Sequence, residues 1–345
     1  MKRRLAAVLA PAVLLAGCMV PGYMREVRPP PVQSELLVGP RRLAEQLDQP
    51  GLVVLHVGRD RTSYDAGHVP GARFLPLSSI AVERDGLPNE LPSPEALDEA
   101  FEAVGVSDAS RVVLYGDLGG LAAARAFFTL DYLGKGSVAL LDGGLEGWRA
   151  AERPVTTAAP AVQRGSFTPR PRPELVASAE WVRDHQRDST VVLVDARAPQ
   201  EYTGEVPGDG VTRPGHIPGA KNVFWRTLVV SEANPELRSP DVLRALFSLA
   251  GARQAVEVQR ARERAQRDSV QRQRERMGEG ARPPRRAPQA APAPPTGSTV
   301  VAYCRTGVQS SFLYFVSRYL GYETKLYDGS FVDWSRRGTD FPVER

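Results

Sequence analysis

One cysteine stands in the body of the chain, Cys304, and its neighbours have the makings of a reactive thiol site. A short apolar run, Val300, Val301, Ala302 and Tyr303, precedes it and reads as a buried parallel strand. Arg305, Thr306, Gly307, Val308 and Gln309 follow as a polar loop. Ser310 and Ser311 then offer N-cap chemistry to a helix whose apolar stripe is Phe312, Phe315, Val316 and Tyr319. A thiol between a strand's C-terminal end and a helix N-terminus meets inward-pointing N–H groups and the positive end of the helix dipole. That environment lowers a thiol pKa and stabilises an anion on the sulfur. Gly307 lets the loop curl, Arg305 supplies a fixed cation, and the amides from Arg305 to Ser310 can cradle a terminal sulfur. These features favour a nucleophile over a core thiol.

The rest of the chain must position that loop. Its 345 residues suggest two domains, each large enough for its own core. An internal repeat divides it. Val53, Val54 and Leu55 are echoed by Val192, Leu193 and Val194, and the turn from Gly67 to Ala72 returns as Gly215, His216, Ile217, Pro218, Gly219, Ala220. Ser93 and Pro94 return as Ser239 and Pro240, Val112 to Tyr115 as Val300 to Tyr303, and Asp142, Gly143 as Asp328, Gly329. Strands alternating with helices imply an α/β fold with parallel sheets. The first unit spans residues 36–155, a Pro-rich linker 156–174, and the second unit 175–345. Helical pattern is expected near residues 38–47, over 93–104 and over 121–133.

Two segments lie outside this scheme. Lys2, Arg3 and Arg4, an apolar run and then Leu15, Ala16, Gly17, Cys18 have the layout of an export signal, too short to span a membrane. The second unit carries an insertion, 252–298, that the first lacks. Residues 254–277 read as a solvated Arg-rich helix and 282–295 as an Ala/Pro-rich extended stretch. Residues 251–295 hold eleven Arg against five acidic side chains. With those and the three N-terminal cations set aside, the net charge of +4 turns mildly negative, so the basic pI says little about the catalytic surface. The insertion lacks interleaved aromatics, and no nucleic-acid partner is expected.

The loop from Cys304 to Gln309 resembles the six-residue active loop of rhodanese sulfurtransferases, whose cysteine cycles through a persulfide. The stretch Tyr327, Asp328, Gly329, Ser330, Phe331, Val332, Asp333, Trp334 is similar to the segment closing the catalytic domain of two-domain members. The tandem layout matches over nearly the whole mature chain. The resemblance implies two rhodanese-like domains, each a parallel sheet flanked by helices, and two-step transfer of sulfane sulfur through Cys304 to cyanide or a thiol. It implies no cofactor and no metal. Asp195 and Arg197 correspond to a loop-supporting Asp-x-Arg, with Glu201 beside them where many members place an Arg. A basic residue at 305 favours thiosulfate as donor, whereas a hydroxyl at 306 is met in 3-mercaptopyruvate enzymes. His68, Asp117 and Trp334 are candidates to reach the cleft, His68 by pairing with Thr306. Because Asp117 falls where Cys304 falls in the second copy, the first domain is expected to be non-catalytic. Residues 15–18 resemble a bacterial lipobox, which implies signal removal before Cys18, its lipidation, a tether over 19–35 and anchoring in the cell envelope facing the periplasm, with the outer membrane favoured.

Other chemistries fit less well. A cysteine phosphatase needs Cys-x5-Arg, and the residue six after Cys304 is Ser310. A zinc or dithiol site lacks ligands. A non-enzymatic sulfur carrier or sensor remains the rival of another class.

Overall fold

The computed structural model describes residues 29–247 and 298–345. The lipobox with Cys18, residues 19–28 and the insertion up to residue 297 lie outside the described residues.

In chain order the elements are β1 (Leu37–Val38), α1 (Pro40–Ala44), β2 (Leu52–Gly58), α2 (Thr62–Asp65), β3 (Arg73–Pro76), β4 (Val82–Arg84), β5 (Leu87–Glu90), α3 (Pro94–Ala103), β6 (Arg111–Gly116), α4 (Leu121–Tyr132), β7 (Val138–Leu141) and α5 (Gly144–Ala150). The second unit continues with α6 (Ala179–His185), β8 (Val191–Asp195), α7 (Pro199–Tyr202), β9 (Lys221–Asn222), α8 (Pro240–Phe247), β10 (Thr299–Tyr303), α9 (Val308–Tyr319), β11 (Glu323–Leu326) and α10 (Ser330–Arg336).

Continuous apolar runs make two parallel sheets buried on both faces. The first has the order β1-β7-β6-β2-β3 and the second β11-β10-β8-β9. In the second copy a single parallel bridge, Val176 to Leu326, replaces the β1–β7 pairing. The repeat predicted from sequence is therefore a repeat of sheet order. Residues 38–47 depart from expectation: Leu37 and Val38 form an edge strand against β7, and the helix is confined to Pro40–Ala44. Gly39 and Pro40 explain the switch, since proline at the first helical position starts a helix and disfavours one before it.

The helices that follow the two equivalent central strands, α4 and α9, pack on each other. Phe127 meets Phe315 edge-on at 4.9 Å, Phe128 meets Tyr314 at 5.0 Å, and the Tyr314 hydroxyl donates to Asp131 at 2.7 Å. This explains why α4 is apolar almost all round: one side covers its own sheet and the other its twin. The linker is seated rather than free. Phe167 is buried, and Arg164 is bonded to Glu99 and Glu102 on α3. Residues 29–35, expected to belong to the tether, lie on the second domain, where Gln33 N–H donates to Tyr319 O and Arg244 donates to Pro30 O.

Candidate active site

Strand β10 ends at Tyr303, and Cys304 opens the connection to α9. Its side chain is 1% exposed. Gly307 is the N-cap, in the left-handed region at φ 89, and its N–H donates to Cys304 Sγ at 3.1 Å. The expected N-cap serines sit one turn further in. Ser310 Oγ lies 3.5 Å from Sγ and 3.0 Å from Gly307 O, and Ser311 Oγ donates to Gly307 O at 2.8 Å. The helix starts earlier because glycine takes the left-handed corner, which leaves both hydroxyls to brace the loop from below.

The segment after β11 closes the loop from the other side. Ser330 Oγ accepts from Cys304 N–H at 3.2 Å and donates to Tyr327 O at 2.8 Å. Phe331 N–H and Val332 N–H bind the Cys304 and Arg305 carbonyls at 3.0 and 3.1 Å. Those carbonyls are thus tied back into the first turn of α10, while Gly307 N–H points at the thiol. Asp195 and Arg197, expected to support the loop, form a buried ion pair. Arg197 Nε and Nη2 donate to Asp195, Nη2 also reaches Gly215 O at 2.8 Å, and the guanidinium lies 4.0 Å from the Phe331 ring centre. Burial works against the Arg197 charge, but the Asp195 carboxylate outweighs it and holds the guanidinium above its ordinary pKa. Glu201 makes no bond to this pair. Its Oε2 is buried without a partner beside Gly208, where the side chain of Arg305 also passes.

The cleft over the thiol encloses about 620 Å³. Arg305, Thr306, Val308 and Gln309 line one wall together with Cys304, while Arg59, Asn89 and Leu118 come from the first domain. Trp225, with its neighbour Arg226, forms an aromatic side of the cleft that sequence analysis passed over. Arg305 is about a third exposed and faces Asp209 at 3.8 Å.

Three candidates are not in the cleft. His68 is fully buried, stacked on Tyr64 at 3.7 Å, with Nδ1 against Tyr64 O. His216 repeats this on Tyr202 at 3.8 Å, so the histidine belongs to the turn. Trp334 is buried and donates to Pro342 O. Asp117 is turned back into its own domain, accepting from Ser63 at 2.6 Å and lying 3.1 Å from His56 Nε2. Burial lowers the His56 pKa, with Asp117 opposing the effect.

Thr306 is held by a residue from the other domain: Asn89 Nδ2 donates to its Oγ1 at 3.0 Å. Below it, the fully buried Arg125 of α4 makes a two-pronged ion pair with Asp328, one prong being Nη2 to Oδ2 at 3.1 Å. Arg125 Nη2 also donates to Asn89 O at 2.7 Å, and Leu91 N–H donates to Asp328 at 2.8 Å. One signal for this was legible, a single arginine inside the apolar run from Leu121 to Leu130. A buried charge of that kind needs a partner.

The family model of the rhodanese-like domain matches residues 40–151 and 178–337. The sulfur carrier protein TtuD of Thermus thermophilus is 32% identical over 317 residues, covering 87% of this chain and 93% of its own. A thiosulfate sulfurtransferase of Azotobacter vinelandii is 28% identical over 90% of this chain and 97% of its own. The 3-mercaptopyruvate sulfurtransferase of Escherichia coli K12 is 32% identical over 61% and 77%. Among solved structures, SseA from Escherichia coli, described as a 3-mercaptopyruvate sulfotransferase with the rhodanese fold, superposes with a TM-score of 0.62. That match is 25% identical and covers 86% of this chain and 98% of the other. With this sheet order, this loop and these relatives, the chain belongs to the rhodanese family as a two-domain sulfurtransferase.

Proposed function

We propose that the protein moves sulfane sulfur from thiosulfate to cyanide or a thiol through a persulfide on Cys304. The observation that carries this is the Gly307 N–H aimed at Sγ from the head of α9, a donor placed for an anionic sulfur. In the first half-reaction the Cys304 thiolate bonds to the outer sulfur of thiosulfate, and the old S–S bond breaks with its electron pair leaving as sulfite. In the second, the acceptor takes the terminal sulfur and the thiolate is restored. The loop amides and Ser310 are the proposed cradle for the terminal sulfur, and Arg305 the cation that meets the donor.

3-Mercaptopyruvate is the second reading, favoured by the Thr306 hydroxyl on the cleft wall. A sulfur-carrier role is the third, supported by the name of the Thermus relative. The test is steady-state transfer by residues 20–345 with each donor and cyanide, beside Cys304→Ala. Cys304-dependent turnover that favours thiosulfate supports the first reading, and preference for mercaptopyruvate the second. Loading once without turnover supports a carrier.

We also propose lipidation at Cys18 and anchoring at the periplasmic side of the cell envelope, on the strength of residues 15–18. Loss of the protein from the membrane fraction on Cys18→Ser is the expected result, and an unchanged distribution contradicts it.

A further inference from the structure

The first domain carries Asp117 where the second carries Cys304, yet it sends a hairpin to the active loop. Strands β4 and β5 pair antiparallel and turn through Asp85 and Gly86, both at positive φ. The hairpin is docked on the second domain by several bonds. Arg336 Nη1 donates to Gly86 O at 2.8 Å, Leu91 N–H to Asp328, and Arg125, itself paired with Asp328, to Asn89 O. Asn89 near its end is in the left-handed region, φ 63, a conformation that non-glycine residues seldom adopt and asparagine tolerates best. Held there, its side-chain amide faces the cleft and donates to Thr306 Oγ1. Backbone strain combined with a side-chain bond to the nucleophile's loop marks a position kept for what it does.

The direction of that bond matters. An amide nitrogen only donates, so the Thr306 oxygen is the acceptor. Among the described residues Thr306 Oγ1 has no other hydrogen-bond partner. Its own hydrogen is therefore free on a wall shared with Cys304. We propose that Asn89 is a positioning residue for the reaction. By occupying a lone pair of the Thr306 hydroxyl it turns the O–H into the cleft, to hydrogen-bond the anionic leaving group of the donor. With thiosulfate, sulfite leaves with the electron pair of the broken S–S bond, and the Thr306 hydrogen meets an oxygen on which charge is growing. No proton is transferred. The hairpin of the first domain thus completes the donor site. This inference rests on the assignment of Cys304 as the sulfur acceptor.

Three variants in the full chain test it. Asn89→Gly keeps the backbone, since glycine is at ease at φ 63, and removes only the amide. Asn89→Asp keeps the size but reverses the bond, accepting the Thr306 hydrogen and placing a negative charge in the cleft. Thr306→Val removes the hydroxyl. Single-turnover loading of Cys304 by thiosulfate should slow about two- to tenfold in Asn89→Gly, the range expected for one hydrogen bond. It should slow further in Asn89→Asp, with a raised KM. The double variant Asn89→Gly/Thr306→Val should load no more slowly than Thr306→Val alone, because the amide acts through the hydroxyl. Loading at the wild-type rate in Asn89→Gly, or losses that multiply in the double variant, would overturn the proposal. If wild type takes sulfur from neither donor, the proposed reaction fails instead, and alkylation of Cys304 then decides the Asn89 role. Iodoacetate should lose rate relative to iodoacetamide in Asn89→Gly and more so in Asn89→Asp, and an unchanged ratio contradicts the inference.

Discussion

Beside Cys304 the proposed reaction gives separate jobs to a backbone donor, Gly307 N–H, and a side-chain cation, Arg305. Gly307 N–H is bonded to Sγ, whereas Arg305 stands off, about a third exposed and drawn toward Asp209. Arg305→Ala should therefore raise the KM for thiosulfate roughly three- to tenfold while leaving the maximal rate nearly unchanged, the scale of one screened charge contact. Steady-state kinetics at low and high salt would check this, since the deficit should shrink as salt screens the wild-type cation. The loop around Cys304 was legible because apolar strand residues, a thiol, a glycine and an apolar helix stripe follow one another in the sequence. His68 and Trp334 were harder to place. A histidine or tryptophan has the same letter whether it lines a cleft or fills a core, and here stacking on Tyr64 and the bond to Pro342 O decide for the core.

At the scale of elements, the loop is shaped by a glycine whose place any side chain would strain. A Cβ at Gly307 would sit 2.6 Å from Asp328 Oδ1 and 3.0 Å from Asp328 O, at a φ of 89 that L side chains avoid. Gly307→Ala should cost about 1–3 kcal/mol in urea unfolding and reduce sulfur loading severely, because relieving the clash rotates the N–H away from Sγ. Unfolding and loading measured on the same sample would separate the two losses. Strand positions were readable from apolar runs, and β6 and β10 fall at the expected residues. The β4–β5 hairpin was not. It is short, mostly polar and carries no alternating pattern, so it gives little periodic signal before the domains meet. The edge strand β1 is missed for a similar reason, two residues being too few to show a period.

At the scale of the whole molecule, the two domains are joined through buried charge as well as through the aromatic contact of α4 with α9. Arg125→Ala leaves the Asp328 carboxylate buried and without its cation, a change worth about 3–5 kcal/mol in comparable buried pairs. Chemical denaturation should show that loss, together with a looser active loop read as faster alkylation of Cys304. Beside this pair lies Glu90, pushed up to about 7 by burial and by the neighbouring Asp328, with Arg125 and Arg84 opposing the shift. The folded protein keeps this proton to about pH 7, whereas the unfolded chain releases it near 4.5. Between those values the folded form binds more protons, so this group's contribution to stability falls as pH rises through the window. Glu90→Gln should be more stable than wild type at pH 8 and converge with it below pH 4.5, and the reverse order would contradict the placement of Glu90. The tandem architecture was legible from the internal repeat, since each sheet is built from one copy. The traffic between the copies was not, because residues such as Asn89 and Thr306 are brought together only by docking.

Cys304 is expected to take and give up one sulfur, and intact-protein mass measurement tests this most directly. Incubated with thiosulfate and no acceptor, the protein should gain the mass of a single sulfur, localised to Cys304, and lose it on addition of cyanide, while Cys304→Ala gains nothing. A Cys304→Ala protein that still gains and releases sulfur, or a wild type that never gains it from thiosulfate or 3-mercaptopyruvate, would contradict the account.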